Sequence, residues 1–213
     1  MTCYPIVYAD PPWSYSDKCH SGQRGAEYKY PCLTVPQIKA LRVPDLAAPD
    51  ALLYLWATPP TLPDALAVMA AWGFTYKTVA FTWVKTGKAP EYEPVVERMD
   101  AGGRLDDLIP LAWGMGHYTR ANAELVLLGK RGNGVPVVDH GVHSVVLTPR
   151  MEHSRKPDEV RERIDRLHGP GPERVELFGR RPVAHWTVWG NDPAVVGFPG
   201  CAEVQNVLQG GGA

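Results

Sequence analysis

The sequence predicts a single α/β domain in which a mostly parallel sheet is flanked by helices. Apolar, β-rich runs recur along the whole chain, and most are near-continuous rather than alternating, as in strands covered on both faces. Helical patterns lie between several of them, which is the rhythm of an α/β sheet with parallel strands. At 213 residues and 45% hydrophobic content, the chain supports one substantial core and leaves little room for a second.

In chain order, "YPIVYA" (4–9) is the first strand and stops on Asp10, after which Pro11 and Pro12 remove the donors a ladder needs. "ALLYLWA" (51–57) is the second. "TLPDALAVMAAWGF" places Leu62, Leu66 and Met69 on one helical face and ends at Gly73. "YKTVAFTWV" (76–84), "AELVLLGKR" (123–131) and "SVVLT" (144–148) are further strands. "KPDEVRERIDRLHG" opens with Pro157, carries Asp158 and Glu159 in its first turn, repeats Val160, Ile164 and Leu167, and closes at His168 and Gly169, all signs of a helix. "RVELFG" (174–179) and "HWTVWG" (185–190) complete the sheet. Residues 85–120 are polar, glycine-containing and weakly periodic, and read as a substrate-covering loop. The domain is expected to span 1–200, with 201–213, ending in "QGGGA", a partly disordered tail.

Composition narrows the function classes. A formal net charge of −1 gives no bulk electrostatic argument for a polyanionic partner, so any nucleic-acid contact is local. The cysteines Cys3, Cys19, Cys32 and Cys201 are scattered without a CxxC pair and read as free thiols in a reducing compartment, with the cytoplasm the expected location. No apolar stretch is long enough to span a bilayer, and the N-terminus lacks a secretory layout, so no membrane partner is expected.

The stretch "DPPW", Asp10 to Trp13, has a specific chemistry. An ionised Asp only accepts hydrogen bonds, a proline carbonyl accepts with no donor on its own nitrogen, and a Trp offers a flat apolar face. Ligands of open α/β sheets bind beyond the carboxyl ends of strands, which is where these residues stand. Together they suit a planar group carrying an exocyclic amine, such as a nucleobase. The alternative is a rigid strand exit with Trp13 in the core.

"DPPW" at a strand end resembles the signature of amino-methyltransferases, and with Asp first and Trp last it is similar to that of the adenine-N6 family named after the seventy-kilodalton subunit of the messenger-RNA adenosine methyltransferase. The likeness continues in order through "YKYPCLT" (28–34), "LLYLWAT" (52–58), "FTWVKTG" (81–87), "GMGHYTRANAELVLLGKRG" (114–132), "HSRKPDE" (153–159), "RVELFGRRP" (174–182) and "WTVWGND" (186–192), covering about residues 6–192. The resemblance implies a permuted Rossmann-like methyltransferase sheet, with the catalytic strand early and the cofactor blocks late, and S-adenosyl-L-methionine as cofactor. It implies that Asp10 and the Pro11 carbonyl hold the target amine, with Pro12 and Trp13 completing the catalytic turn and Trp13 stacking on adenine. Asp10 would also lie near the cofactor's amine, Lys156 would pair with its carboxylate, Glu176 and Arg180 would shape the ribose side, and Asn191 would contact the adenosyl part. Where the family offers polar ribose contacts and an amide, this chain has Arg181 nearby and Asp192, which are taken as compensating contacts. Tyr30 resembles the aromatic of the family's first active-site loop.

"GMGHYTR" lacks the third glycine and the preceding strand of a dinucleotide loop. His117, Tyr118 and Arg120 are therefore assigned to substrate binding, the last two for stacking and phosphate contact. "DHGVH" (139–143) lacks metal-site spacing, and no metal is expected. The leading function is methyl transfer to the N6 amine of adenine in DNA. The alternatives are the same chemistry on RNA and a non-catalytic nucleic-acid-binding subunit.

Overall fold

A computed structural model describes residues 3–14, 32–87, 111–114, 116, 118–151, 155–195 and 201–209. The strands are β1 (Tyr4–Ala9), β2 (Ala47–Ala57), β3 (Thr75–Thr86), β4 (Ala123–Arg131), β5 (Val145–Pro149), β6 (Arg174–Leu177) and β7 (Thr187–Trp189). The helices are α1 (Val35–Ala40), α2 (Val43–Leu46), α3 (Leu62–Ala71), α4 (Asp158–His168) and α5 (Cys201–Gln209). Seven strands form one sheet in the order β5-β3-β4-β2-β1-β6-β7, flanked by helices as in a Rossmann-like methyltransferase.

The sheet is mixed, not parallel throughout. β1 pairs in parallel with β2 and β6, as do β6 with β7 and β3 with β5, whereas β4 is antiparallel to both β2 and β3. The cause lies in the connection. The chain leaves β3 and returns to β4 at the same end of the sheet, where the Lys85 N–H donates to the Asn122 carbonyl at 2.7 Å. An apolar run carries no mark of its direction, so the pattern alone could not distinguish the two cases.

Alternation sorts the side chains onto two faces. Tyr8, Tyr54, Trp56, Val126 and Glu176 share one face, which α4 covers with Val160, Ile164 and the buried His168. His168 Nε2 meets the Tyr54 hydroxyl at 2.7 Å and Nδ1 meets the Pro136 carbonyl at 2.8 Å. On the other face α3 buries Ala65, Val68 and Met69, followed by Trp72, at i, i+3, i+4 and i+7. This corrects the expected face. Leu66 is 37% exposed and Leu62 only half-buried, because Trp72, with its indole N–H on the Ile38 carbonyl at 3.0 Å, sets the orientation of α3.

Two further expectations change. β5 is an edge strand, and its Val145 and Leu147 are exposed instead of covered. Residues 201–209, expected as tail, form α5, whose Val204 and Leu208 lie in the core against α2 and β7. Residues 88–110 of the expected substrate loop, and 210–213 of the tail, lie outside the described residues.

Candidate active site

At one end of the sheet the carboxyl ends of β1, β2, β3 and β6 meet the amino end of β4. The Asp10 N–H donates to the Leu177 carbonyl at 3.3 Å, the last rung between β1 and β6. Pro11 and Pro12 have no N–H, so the ladder stops there. The Pro11 carbonyl accepts from the Trp13 N–H at 2.8 Å and the Pro12 carbonyl from the Leu33 N–H at 2.9 Å, which fixes the turn. The Trp13 indole N–H donates to the Trp56 carbonyl at 3.2 Å, and only 6% of Trp13 is exposed. Trp13 is therefore anchored in the core.

Four charges alternate across these strand ends. Asp10 Oδ1 lies 3.0 Å from Lys156 Nζ, which lies 3.2 Å from Glu124 Oε2. The other Glu124 oxygen accepts from Lys85. Both ammonium groups sit over indole rings, Lys156 at 5.3 Å from the centroid of Trp56 and Lys85 at 4.9 Å from that of Trp83. Lys156 thus has two carboxylate partners in the chain itself, where the sequence suggested a side chain waiting for a ligand.

Their ionisation follows from burial and neighbours. Burial raises the Asp10 carboxyl above its ordinary value, assisted by Glu124, and Lys156 limits the rise. Burial alone would also raise Glu124, but Lys156 and Lys85 outweigh it and hold the group below the usual carboxylate range. Lys156 would be lowered by burial, yet Asp10 and Glu124 outweigh that and raise it. Lys156 is therefore held as a cation, and of its two carboxylate partners only Asp10 is raised.

A second buried pair stands beside the first. Glu176, opposite Tyr8 on β6, receives Arg161 Nη1 at 2.6 Å, and Arg161 Nη2 donates to Asp158. Burial pushes the Glu176 carboxyl up and Arg161 opposes it. Just beyond, Phe178 holds φ 67, a left-handed conformation costly for a bulky residue, with its ring edge-on to Trp189 at 5.1 Å.

Replacing Arg161 with leucine is expected to destabilise the fold by roughly 3–5 kcal/mol, because it leaves a carboxylate buried and unpaired. The folded pKa of Glu176, already raised, would rise further. Such a group contributes stability that is present below its unfolded value of about 4.3 and lost as pH rises through the folded value. Urea denaturation should therefore show a larger deficit near about pH 8 than near about pH 5. Adding Glu176→Gln should remove that pH dependence.

The remaining expected residues are dispersed. Arg180 is exposed but close enough to Asp10 to pull its pKa down. Arg181 pairs with Asp158 at 2.5 Å. Asn191 is exposed after β7, and Asp192 Oδ1 accepts from the Ala194 N–H at 3.0 Å, a contact within its own turn. Tyr118 is fully exposed, and Arg120 lies over the Trp113 ring. Tyr30 and His117 lie outside the described residues. Asp139 of "DHGVH" accepts from Arg166 at 2.8 Å and from the Gly141 N–H at 2.8 Å, and among the described residues no group of three or more His, Cys, Asp or Glu is placed to hold a metal ion.

Sequence reasoning missed Glu124, Lys85 and Arg161. A signal existed: a lone Lys closes the apolar run of β3 and a lone Glu opens that of β4. Opposite charges at such ends pair only if the two strands are antiparallel neighbours, which is what the structure supplies.

Comparison with known proteins gives the family of the chain. The MT-A70 family profile matches residues 4–102 and 103–192. The Type II methyltransferase M.MunI of Mycoplasma sp is 30% identical over 204 residues, covering 88% of this chain and 76% of that protein. The N(6)-adenosine-methyltransferase MT-A70-like protein of Arabidopsis thaliana is 30% identical over 192 residues, 88% of this chain but 23% of its own length. The N(6)-adenosine-methyltransferase catalytic subunit METTL3 of Homo sapiens is 28% identical over 190 residues, 88% of this chain and 28% of its own. The chain thus spans about a quarter of these two eukaryotic relatives.

Proposed function

Since the chain belongs to the MT-A70 family of methyltransferases, we propose that it transfers a methyl group from S-adenosyl-L-methionine to the N6 amine of adenine in DNA. The observation that carries this reading is the alternating line Asp10, Lys156, Glu124, Lys85 at the strand ends. DNA is preferred because M.MunI, named as a Type II methyltransferase, is matched over most of its length, unlike the adenosine methyltransferases.

These residues suit the cofactor. Its amino-acid end is a zwitterion and its sulfonium is a further cation, so a site with two carboxylates and two ammonium groups can match both signs. Lys156 would pair with the carboxylate, Asp10 would lie near the amine, and Glu176, held by Arg161, would accept from a ribose hydroxyl. Arg180, Arg181, Asn191 and Asp192 are assigned to the adenosyl side. When bound, the cofactor supplies an electrophilic methyl group, and the protein's part is alignment.

Asp10 accepts one amine hydrogen of the target and the Pro11 carbonyl accepts the other, which turns the nitrogen lone pair toward the methyl donor. The Asp10 charge also offsets positive charge growing on that nitrogen. Trp13 bounds the adenine pocket, and Tyr30, His117, Tyr118 and Arg120 contact the nucleic acid. The target base must be unpaired or extruded to reach Asp10.

Incubating the purified chain with methyl-labelled cofactor and matched DNA and RNA strands tests the reading. Label is expected in DNA adenine, whereas label confined to RNA would move the assignment to the RNA reaction. A non-catalytic subunit would gain no thermal stability from S-adenosyl-L-methionine. An enzyme should gain about 2.7 kcal/mol at a hundredfold excess over the dissociation constant.

A further inference from the structure

The seven tryptophans divide sharply. Trp13, Trp56, Trp72, Trp83, Trp186 and Trp189 are all at most 6% exposed, whereas Trp113 is 75% exposed. An exposed indole offers a large flat apolar face with a polar edge, a shape suited to stacking. Trp113 is also not loose. The guanidinium carbon of Arg120 stands 4.3 Å from its ring centroid, a stacked cation–π contact that covers the ring on that side.

The glycines of "GMGHYTR" explain how residues 113 and 120 meet. A Cβ on Gly114 would lie 1.7 Å from the Ala121 carbonyl oxygen, and one on Gly116 would lie 2.2 Å from that of Thr119. Only a residue without a side chain lets the backbone press against itself there, and this folds the loop so that Arg120 comes over Trp113. The glycines thus close a loop and cradle no phosphate. Its two stems are pinned to the sheet: the Ala112 N–H donates to the Lys85 carbonyl at 2.8 Å, Thr86 bridges Leu111, and the Lys85 N–H donates to Asn122. Lys85 in turn contacts Glu124, the neighbour of Lys156 and Asp10. The platform is therefore fixed to the same strand ends that carry the reacting groups.

We propose that Trp113, backed by Arg120, is a stacking subsite for the base next to the target adenine. The inference rests on the nucleic-acid reading above and specifies where the strand is gripped. An extruded adenine leaves its neighbour unstacked on one face, and an indole fixed beside the catalytic mouth replaces that lost contact. Arg120 keeps guanidinium N–H groups for the adjoining phosphate, and fully exposed Tyr118 stands two residues away.

Because the other six tryptophans are buried, acrylamide quenching of the full chain reports on Trp113. A short single-stranded DNA oligonucleotide containing adenine should shield the quenchable fluorescence, and free adenosine should not. Trp113→Ala should raise KM for the oligonucleotide by about 5- to 150-fold, with kcat falling far less, and Trp113→Phe should restore most of the loss. Gly114→Ala, which keeps the indole but opens the loop, should resemble Trp113→Ala. An unchanged KM in Trp113→Ala, shielding by adenosine alone, or shielding in the free protein that grows with protein concentration would each overturn the subsite. If the oligonucleotide shields Trp113 but no methyl transfer occurs, the subsite stands and the catalytic reading falls.

Discussion

Asp10→Ala is expected to lower the single-turnover rate of methyl transfer by about 100-fold or more at saturating cofactor and DNA, the scale of deleting one transition-state hydrogen bond. Asp10→Asn should retain measurable turnover, because it keeps an acceptor oxygen and loses only the charge. The order wild type, asparagine, alanine follows from two separable contributions, orientation of the amine and offset of its growing charge. The variants should fold, since the Asp10 contact with the sheet is through its backbone N–H and Lys156 keeps Glu124 as a partner. Trp13→Ala is a less clean probe, because Trp13 is buried and bonded to the Trp56 carbonyl, so stability and base binding would change together. Equal rates for Asp10→Ala and wild type would reduce "DPPW" to a rigid strand exit.

Lys156→Met should have the second largest effect, and on both stability and rate. Lys156 is only 16% exposed and lies within 3.2 Å of two carboxylates, so its removal strands buried charge at a cost of roughly 3–5 kcal/mol. The sign of the pH dependence is fixed. Asp10 is already raised by burial, and without Lys156 it rises further, while Glu124 loses part of the pull that holds it low. A raised carboxyl contributes stability present below its unfolded value of about 3.9 and lost as pH rises through the folded value. The deficit of Lys156→Met against wild type should therefore be smallest in acid and grow toward neutral pH. Its methylation rate should climb with pH as Asp10 regains its charge. Lys156→Arg, which keeps a cation, should recover much of the stability. A deficit independent of pH, measured by urea denaturation across the series, would mean that Lys156 does not govern Asp10.

Much of the fold was legible because local patterns and the tertiary structure agree. The run 123–131 is β4 to the residue, and the helix opening at Pro157 begins at Asp158. "DPPW" stands at the strand end, where two residues without N–H stop a ladder. What was not legible depends on contacts distant in sequence. The pairing of Lys85 with Glu124 exists only because β4 runs against β3, and strand direction leaves no trace in an apolar run. Leu66 yielded the buried face of α3 to Trp72 because an indole fills the space under α1 that a leucine does not. Helix α5 is only nine residues long, and its apolar pattern of Val204, Val207 and Leu208 covers little more than one turn beside the glycines that follow.

The central claim is that Asp10, within the charge line through Lys156 and Glu124, directs methylation of the adenine amine in DNA. Mass spectrometry of nucleosides from cells expressing the wild-type chain or Asp10→Ala, with DNA and RNA digested separately, tests it most directly. The account predicts N6-methyladenine in the DNA of wild-type-expressing cells and its loss with Asp10→Ala. N6-methyladenine absent from both wild-type fractions, or equally abundant with Asp10→Ala, would contradict it.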